Sequence, residues 1–439
     1  MSGEKKSRDV VARSFGSFHS SNIETQLKAA ETDEYVPPDF PVYLPNFAEY
    51  RKCEPEFGKP MKKKHFLLDD SLVFLNHGAF GAALKDGLEV AQDVQRYVEA
   101  QPVRFIDREL FPQIVHTQKR LAKYIGCKPS DFAMTENATL GTNSVLNSLE
   151  LDEESVIYHL STVYGAVKKS MDKVCQRTGA KMQMETLRFP LESKEDILDL
   201  VKTTLKPNTA LALFSHIPSN TPFIMPVKEL VQICHERNVP VLIDGAHALG
   251  TVILDLTDID ADYYILNTHK WFCSPKGCAA LYVKPEHQAK IGALSVSHGY
   301  KSGFHSEHTF PGLRDYSPIL GLQCCINFFN AIGPEVIITR NHSLLVDAVQ
   351  LLTTAWKSST LAPLDMHSSM CCVALPSRFY KSHEVKYEDA ELVQNRLFHE
   401  HKIEVPVKCV QGVLYVRISV HIHNELSDYQ RLSDAVLAL

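Results

Sequence analysis

The chain has no unbroken apolar run of the roughly 18 residues that a membrane-spanning helix needs. Its longest such regions, including Val239–Ile243 and Val252–Leu256, are short and set off by Asp and Gly. We therefore expect no membrane association. No CxxC pair occurs among the 11 cysteines, which argues against a zinc ribbon or a thioredoxin-type redox pair, and no metal site is expected. There is no excess of positive charge. Lys plus Arg is 46 against 52 for Asp plus Glu, a net charge of -6 over 439 residues. A dedicated nucleic-acid binder would carry the opposite balance. Neither a GxGxxG fingerprint nor a Walker A sequence is present, which argues against dinucleotide and P-loop chemistry. Residues Met1–Ser21 lack an apolar core of the secretory kind. Lys5, Lys6, Arg8 and Arg13 among serines suit a mitochondrial leader, but Glu4 and Asp9 count against it. Scattered thiols, with doublets at Cys324–Cys325 and Cys371–Cys372, read as buried groups of a reducing compartment, and the expected location is cytoplasmic.

What is present is ordinary globular composition, 44% hydrophobic and 22% charged. Residues 1–65 are polar and proline-rich and are expected to form a partly disordered arm, with order beginning near Phe66. From 66 to 312, short apolar runs alternate with helical patterns. Thr209–Ser215, Val239–Ile243, Tyr263–Leu266 and Ala279–Val283 are near-continuously apolar, and helical spacing marks Asp86–Ala100, Ile114–Ile125 and Val227–Arg237. Such alternation indicates an α/β fold with a mostly parallel sheet covered on both faces. Residues 313–439 change character, with long helices over Ile319–Ile332 and Pro334–Ala355 followed by short strands. They are expected to form a smaller α+β domain.

Two strand ends carry the chemistry. Val-Pro-Val-Leu-Ile runs into Asp244-Gly245-Ala246-His247, and Tyr-Tyr-Ile-Leu runs into Asn267-Thr268-His269-Lys270-Trp271. Ligands of open α/β sheets collect at the carboxyl ends of strands, so an acid and a lysine there can face one molecule. A lysine after an apolar strand suits Schiff-base chemistry. An aspartate beside it can hold a pyridinium nitrogen protonated, the arrangement that pyridoxal phosphate requires. Taken singly, each residue also reads as a surface lysine or a helix cap. Glu136-Asn137-Ala138-Thr139 sits where a strand gives way to a helix whose free N–H groups can cradle a phosphate, or can simply be capped.

These segments together resemble the class V branch of pyridoxal-phosphate enzymes of fold type I, within it the isopenicillin N epimerase-like group. That group includes cysteine desulfhydrases and hercynylcysteine sulfoxide lyases. The resemblance spans about residues 66–439. It rests also on Leu75-Asn76-His77-Gly78-Ala79-Phe80-Gly81, Pro102-Val103-Arg104-Phe105, Gly312-Leu313-Arg314-Asp315 and Val416-Arg417-Ile418-Ser419. It implies that Lys270 is the Schiff-base lysine and Asp244 the partner of the pyridine nitrogen. His247 lies near the ring, and Ala138, Thr139 and His269 hold the phosphate. Tyr164 covers the ring, or merely packs at a helix start, and Ser219 is a further cofactor contact. Arg417 grips the substrate carboxylate, Asn76 and His77 form the mouth of the site, and Arg104 reaches a second carboxylate. Leu313 stands where relatives often have Thr, so a hydroxyl contact to phosphate from a neighbouring subunit is lost there.

The implied activity is β-elimination from a cysteine-type or S-substituted cysteine substrate, with Lys270 as general base, releasing pyruvate and ammonia; Tyr164 can serve equally as the second acid of an epimerisation or as the acid that protonates a leaving sulfur. Epimerisation and transamination follow from the same site, and a non-catalytic binding protein of this fold is the remaining alternative. A homodimer with shared active sites is expected from the resemblance. Cys273 is a conceivable sulfur carrier, whereas Cys371 and Cys372 fall in an apolar run that reads as a core strand.

Overall fold

The near-continuous apolar runs become the middle of one sheet, because a strand covered on both faces has no polar side to show. The computed structural model describes residues 18, 21–53, 55–381 and 384–439. In chain order its strands are β1 (Val73–Phe74), β2 (Phe132–Thr135), β3 (Val156–Leu160), β4 (Lys181–Glu185), β5 (Thr209–Ser215), β6 (Val241–Asp244), β7 (Tyr263–Asn267), β8 (Ala279–Val283), β9 (Met370–Ala374), β10 (Ile403–Glu404), β11 (Val407–Val410) and β12 (Val413–Ser419). The main sheet has the order β2-β8-β7-β6-β5-β3-β4. β8 runs antiparallel to β2 and β7, and the other pairings are parallel. β6, β7 and β8 are buried along their whole length, whereas the edge strand β4 is half exposed. The α/β expectation holds.

Parallel pairing fixes where the strand ends fall. Ser215 lies opposite Asp244, and Asp244 opposite Ile265, so the carboxyl ends of β5, β6 and β7 share one edge of the sheet. The motifs that follow them are thereby gathered in one place.

A second, antiparallel sheet, β11-β12-β9, has its own apolar core with the helices Pro334–Trp356, Tyr387–His401 and Leu426–Ala438. The chain passes between the two cores more often than one boundary at 312 would require. β1 pairs in parallel with β10, and Val73 and Leu75 belong to the second core. The helix Ser317–Ile332 instead packs in the main core beside Lys85–Ala100 and Leu110–Ile125. No single described helix is long and apolar enough to cross a membrane; Ser317–Ile332 and Pro334–Trp356 together pass by length and composition but meet at 77°.

Order does not begin at Phe66. The helix Ile23–Ala30 buries Ile23 and Leu27 against the main core, and His305 bonds both oxygens of Glu24 at 3.0 Å. The four-residue spacing of two large apolar side chains is enough to dock one helical turn. The basic residues Lys5, Lys6, Arg8 and Arg13 lie outside the described residues.

Candidate active site

Lys270 stands just past the carboxyl end of β7, with its side chain at the floor of a cleft of about 300 Å³. Asn76, Tyr164, Ser219 and Arg417 line the same cleft. Five side chains drawn from distant parts of the chain therefore converge on one cleft. The loop after the helix His77–Phe80 presses directly on the lysine backbone. A Cβ on Gly81, whose φ is +68°, would lie 2.2 Å from the carbonyl oxygen of His269, so only glycine fits there.

Burial pushes the Lys270 ammonium down to about 8; nearby Asp244 opposes the shift and Arg417 adds to it. Its Nζ lies 3.1 Å from His247 Nε2, and Trp271 Nε1 donates to His247 Nδ1 at 3.1 Å. An imidazole that accepts at Nδ1 carries its proton on Nε2 when neutral. Burial holds His247 well below its ordinary value, so neutral it stays. Nε2–H can then donate to the Lys270 lone pair once the ammonium has lost its proton. The site thus eases that loss relative to an exposed lysine.

Asp244 is buried, and Oδ1 accepts the Ala246 N–H at 3.1 Å. Its second oxygen has no hydrogen-bond partner among the described residues. Burial raises the carboxyl, with the Ala246 N–H and Lys270 opposing. Next along, Gly245 lies against Tyr264, where a Cβ would come within 2.2 Å of the ring. Tyr264 in turn pairs with His216 Nδ1 at 2.7 Å. Tyr264 and His216 thus brace the turn from behind.

At the next strand end, Asn267 Oδ1 accepts the N–H of Ala138 at 2.9 Å, and Asn137 Oδ1 accepts that of Leu140 at 3.0 Å. Between them, the N–H and hydroxyl of Thr139 have no partner among the described residues, at the start of the helix Ala138–Ser148. His269 Nδ1–H donates to the Cys278 carbonyl at 3.2 Å, and burial holds its imidazole down to about 4.

Arg417 is almost wholly buried. Nη1 donates to the Ser219 carbonyl at 2.7 Å and to its hydroxyl at 3.2 Å, and Nη2 donates to Asn76 Oδ1 at 2.7 Å. All three partners are neutral, and Nε is buried without one. Ser219 therefore orients Arg417 through its carbonyl and hydroxyl. Tyr164, at the start of the helix Gly165–Thr178, is 45% exposed in the cleft wall.

Two expectations are corrected. His77 is not at the mouth. It is fully buried, with Nε2–H donating to the Lys270 carbonyl at 3.1 Å and Nδ1 3.2 Å from His423 Nε2. Its ring stacks on His421, 4.1 Å between centroids, and His421 Nε2–H donates to the Trp271 carbonyl at 3.0 Å. Arg104 does not line the cleft either. It pairs with Glu109 at 3.2 Å and lies over the Tyr97 ring, which satisfies its charge and covers its stem. Cys273, Cys371 and Cys372 are each fully buried with the thiol pushed up by burial, so none resembles a mobile sulfur carrier. Trp271 and Asn267 carry roles that the strand-end motif alone does not signal: Trp271 donates to His247, and Asn267 accepts the Ala138 N–H. His421 and His423 had a signal, alternating behind Arg417 on an otherwise apolar stretch.

The donor set fits pyridoxal phosphate. It offers a buried lysine whose ammonium is lowered to about 8, and, each without a hydrogen-bond partner among the described residues, a buried carboxylate oxygen of Asp244 and the N–H and hydroxyl of Thr139 at a helix start. Residues 95–432 match the model of the Aminotransferase class-V family, and the chain belongs to that family. It is 31% identical over 425 residues to a probable chloroplastic L-cysteine desulfhydrase of Arabidopsis thaliana, covering 90% of this chain and 87% of that protein. It is 28% identical over 393 residues to an isopenicillin N epimerase of Streptomyces clavuligerus, covering 85% and 96%. A cystine C–S lyase solved with cysteine persulfide superposes with a TM-score of 0.73 at 19% identity, over 84% of this chain and 97% of that one, which shows the fold.

Proposed function

We propose that the chain is a pyridoxal-phosphate-dependent C–S lyase acting on cysteine-type substrates. The observation that carries this reading is one cleft that holds a buried lysine, its ammonium lowered to about 8, and a buried arginine whose partners are all neutral. The L-cysteine desulfhydrase likeness across nine-tenths of the chain supports it.

Bound pyridoxal phosphate would supply the carbonyl that takes up an amine and the sink for the electrons released at Cα. Thr139, the Ala138 helix start and His269 would hold its phosphate, and Asp244 the protonated ring nitrogen. A phosphate dianion beside His269 would favour the imidazolium, which donates from both nitrogens. Arg417 meets the substrate α-carboxylate with its planar fork, which points Cα–H toward the floor. Lys270 Nζ takes that proton. Loss of the thiolate from Cβ then completes the elimination, and Tyr164, which lines the same cleft, is the acid we assign to the leaving sulfur. The net balance is substrate plus water to thiol, pyruvate and ammonium.

Epimerisation uses the same first proton transfer and is favoured by the epimerase likeness. Titrating the holoenzyme with L-cysteine and S-alkyl cysteines, scoring pyruvate and thiol, separates them. Pyruvate release establishes the lyase. Cα–H exchange without pyruvate overturns it in favour of the epimerase.

We also propose that it works as a homodimer. Phe80, Val103 and Leu313 are large, apolar and strongly exposed, at 77%, 67% and 77%, which suits contact with a second copy. Sedimentation equilibrium at assay concentrations tests this, and a fully active monomer would exclude it.

A further inference from the structure

The cleft holds a second cation that the reaction above leaves idle. Lys408 on β11 pairs with Tyr415 on β12, and the N–H of Arg417 donates to the Pro406 carbonyl at 2.9 Å. Strand side chains alternate, so 406, 408, 415 and 417 share one face. Lys408 and Arg417 both line the cleft that ends at Lys270.

Neither charge is answered from within. Arg417 bonds only neutral groups, and the Lys408 ammonium makes no hydrogen bond or ion pair among the described residues. The one carboxylate in the cleft wall, Glu391, is exposed on the helix Tyr387–His401 and forms no ion pair with either. Burial lowers the Lys408 ammonium, and Arg417 lowers it further. A half-buried like-charge pair with no counter-ion is costly, and anions arriving with the ligand relieve it. The phosphate cradle serves another part of the ligand, at the Ala138 helix start. The α-carboxylate of an amino acid answers Arg417 alone.

We propose that Lys408 forms a second anion subsite, so that the substrate is a cysteine whose sulfur substituent ends in a carboxylate. This rests on the lyase reading above and narrows it, because free cysteine carries one carboxylate only. The subsite takes the role assigned from sequence to Arg104, whose charge is already paired with Glu109.

The test compares S-carboxymethyl-L-cysteine with the neutral S-ethyl-L-cysteine on the holoenzyme. A hydrogen bond to a charged group predicts a preference for the carboxymethyl compound of about ten- to a hundredfold in kcat/KM, carried mainly by KM. Lys408→Gln should collapse that ratio toward one, Lys408→Arg should keep it, and Lys408→Glu should shift it toward S-(2-aminoethyl)-L-cysteine. L-α-aminoadipate and L-norleucine have the same shapes with CH₂ in place of sulfur and cannot undergo C–S cleavage. Their binding, followed by the change in cofactor absorbance, reports the subsite without the reaction. If no thioether is cleaved but aminoadipate binds better and Lys408→Gln removes that advantage, the subsite stands and the lyase reading falls. If thiol is released with no preference for the charged tail, or the preference survives in Lys408→Gln, the subsite is overturned and the lyase reading stands.

Discussion

Trp271 donates its indole N–H to His247 Nδ1 across 3.1 Å, and that bond determines which face of the imidazole meets Lys270. With Nδ1 occupied as an acceptor, the Nε2 proton points at the amine 3.1 Å away. Trp271→Phe frees His247 to adopt the other tautomer, which would accept from an ammonium and stabilise it. The Lys270 midpoint should then rise above about 8. The measurement is the rate at which cofactor-free protein takes up pyridoxal phosphate as a function of pH. In the parent the rate should fall as pH drops below the midpoint, because only the uncharged amine attacks. In Trp271→Phe the whole profile should move to higher pH. An unmoved profile would remove Trp271 from the network.

Lys270→Ala removes the amine itself. The variant should lack the covalent lysine adduct, so borohydride treatment should leave no cofactor attached to the chain. The loss of proton transfer predicts a fall in kcat of at least about 10²–10⁴-fold. Mass spectrometry of the reduced protein checks the first, and pyruvate release the second. Turnover at the parent rate would exclude Lys270 as the base.

Arg417→Lys keeps the charge and discards the fork. One ammonium cannot bond Ser219 and Asn76 while still offering two parallel donors to a carboxylate. KM for S-alkyl cysteines should rise about ten- to a hundredfold, with a smaller change in kcat. An equal fall in kcat with KM unchanged would mean that Arg417 acts only in the transition state.

How far this site could be read from sequence depends on the kind of signal each residue sends. Asp244 and Lys270 end apolar strands, and parallel pairing necessarily brings such ends together, so both were legible. Adjacent residues at a helix start defeat that logic. Asn76 is the non-helical N-cap of the helix His77–Phe80 and reaches Arg417 in the cleft, whereas His77 is its first residue and is buried under Lys270. Lys408 became visible only through the ladder register around the turn at Gln411 and Gly412. A sequence offers no sign that residues 408 and 417 share a face until that turn is known. The docked helix Ile23–Ala30 rests on a few apolar side chains and one distant His305, too little pattern to stand out from a polar stretch.

That docking gives a pH-dependent prediction. Burial raises the Glu24 carboxyl, but the hydrogen bonds and charge of His305 outweigh it and leave it below the ordinary 4.5. A lowered carboxyl contributes to stability above its ordinary value and loses that contribution as pH falls toward its folded value. Amides of residues 23–30 should therefore exchange faster as pH drops from neutrality to below 4.5, after correction for the intrinsic rate. Glu24→Gln should raise exchange at neutral pH and flatten the dependence. Equal protection in both proteins at all pH values would exclude the Glu24–His305 hydrogen bond as the anchor.

Thr139 offers the cleanest test of the cofactor reading, because its hydroxyl and N–H sit at a helix start with no partner among the described residues. Thr139→Val keeps the shape and the N–H but deletes the hydroxyl donor. A bond to a charged oxygen is worth about 1.5–3 kcal/mol, so the Kd for pyridoxal phosphate should rise about ten- to a hundredfold. Pyridoxal, which lacks the phosphate, should bind both proteins alike, since nothing else in the site has changed. Equal weakening for the two compounds would mean that Thr139 supports the fold of the helix start rather than the phosphate, and would move the cradle elsewhere.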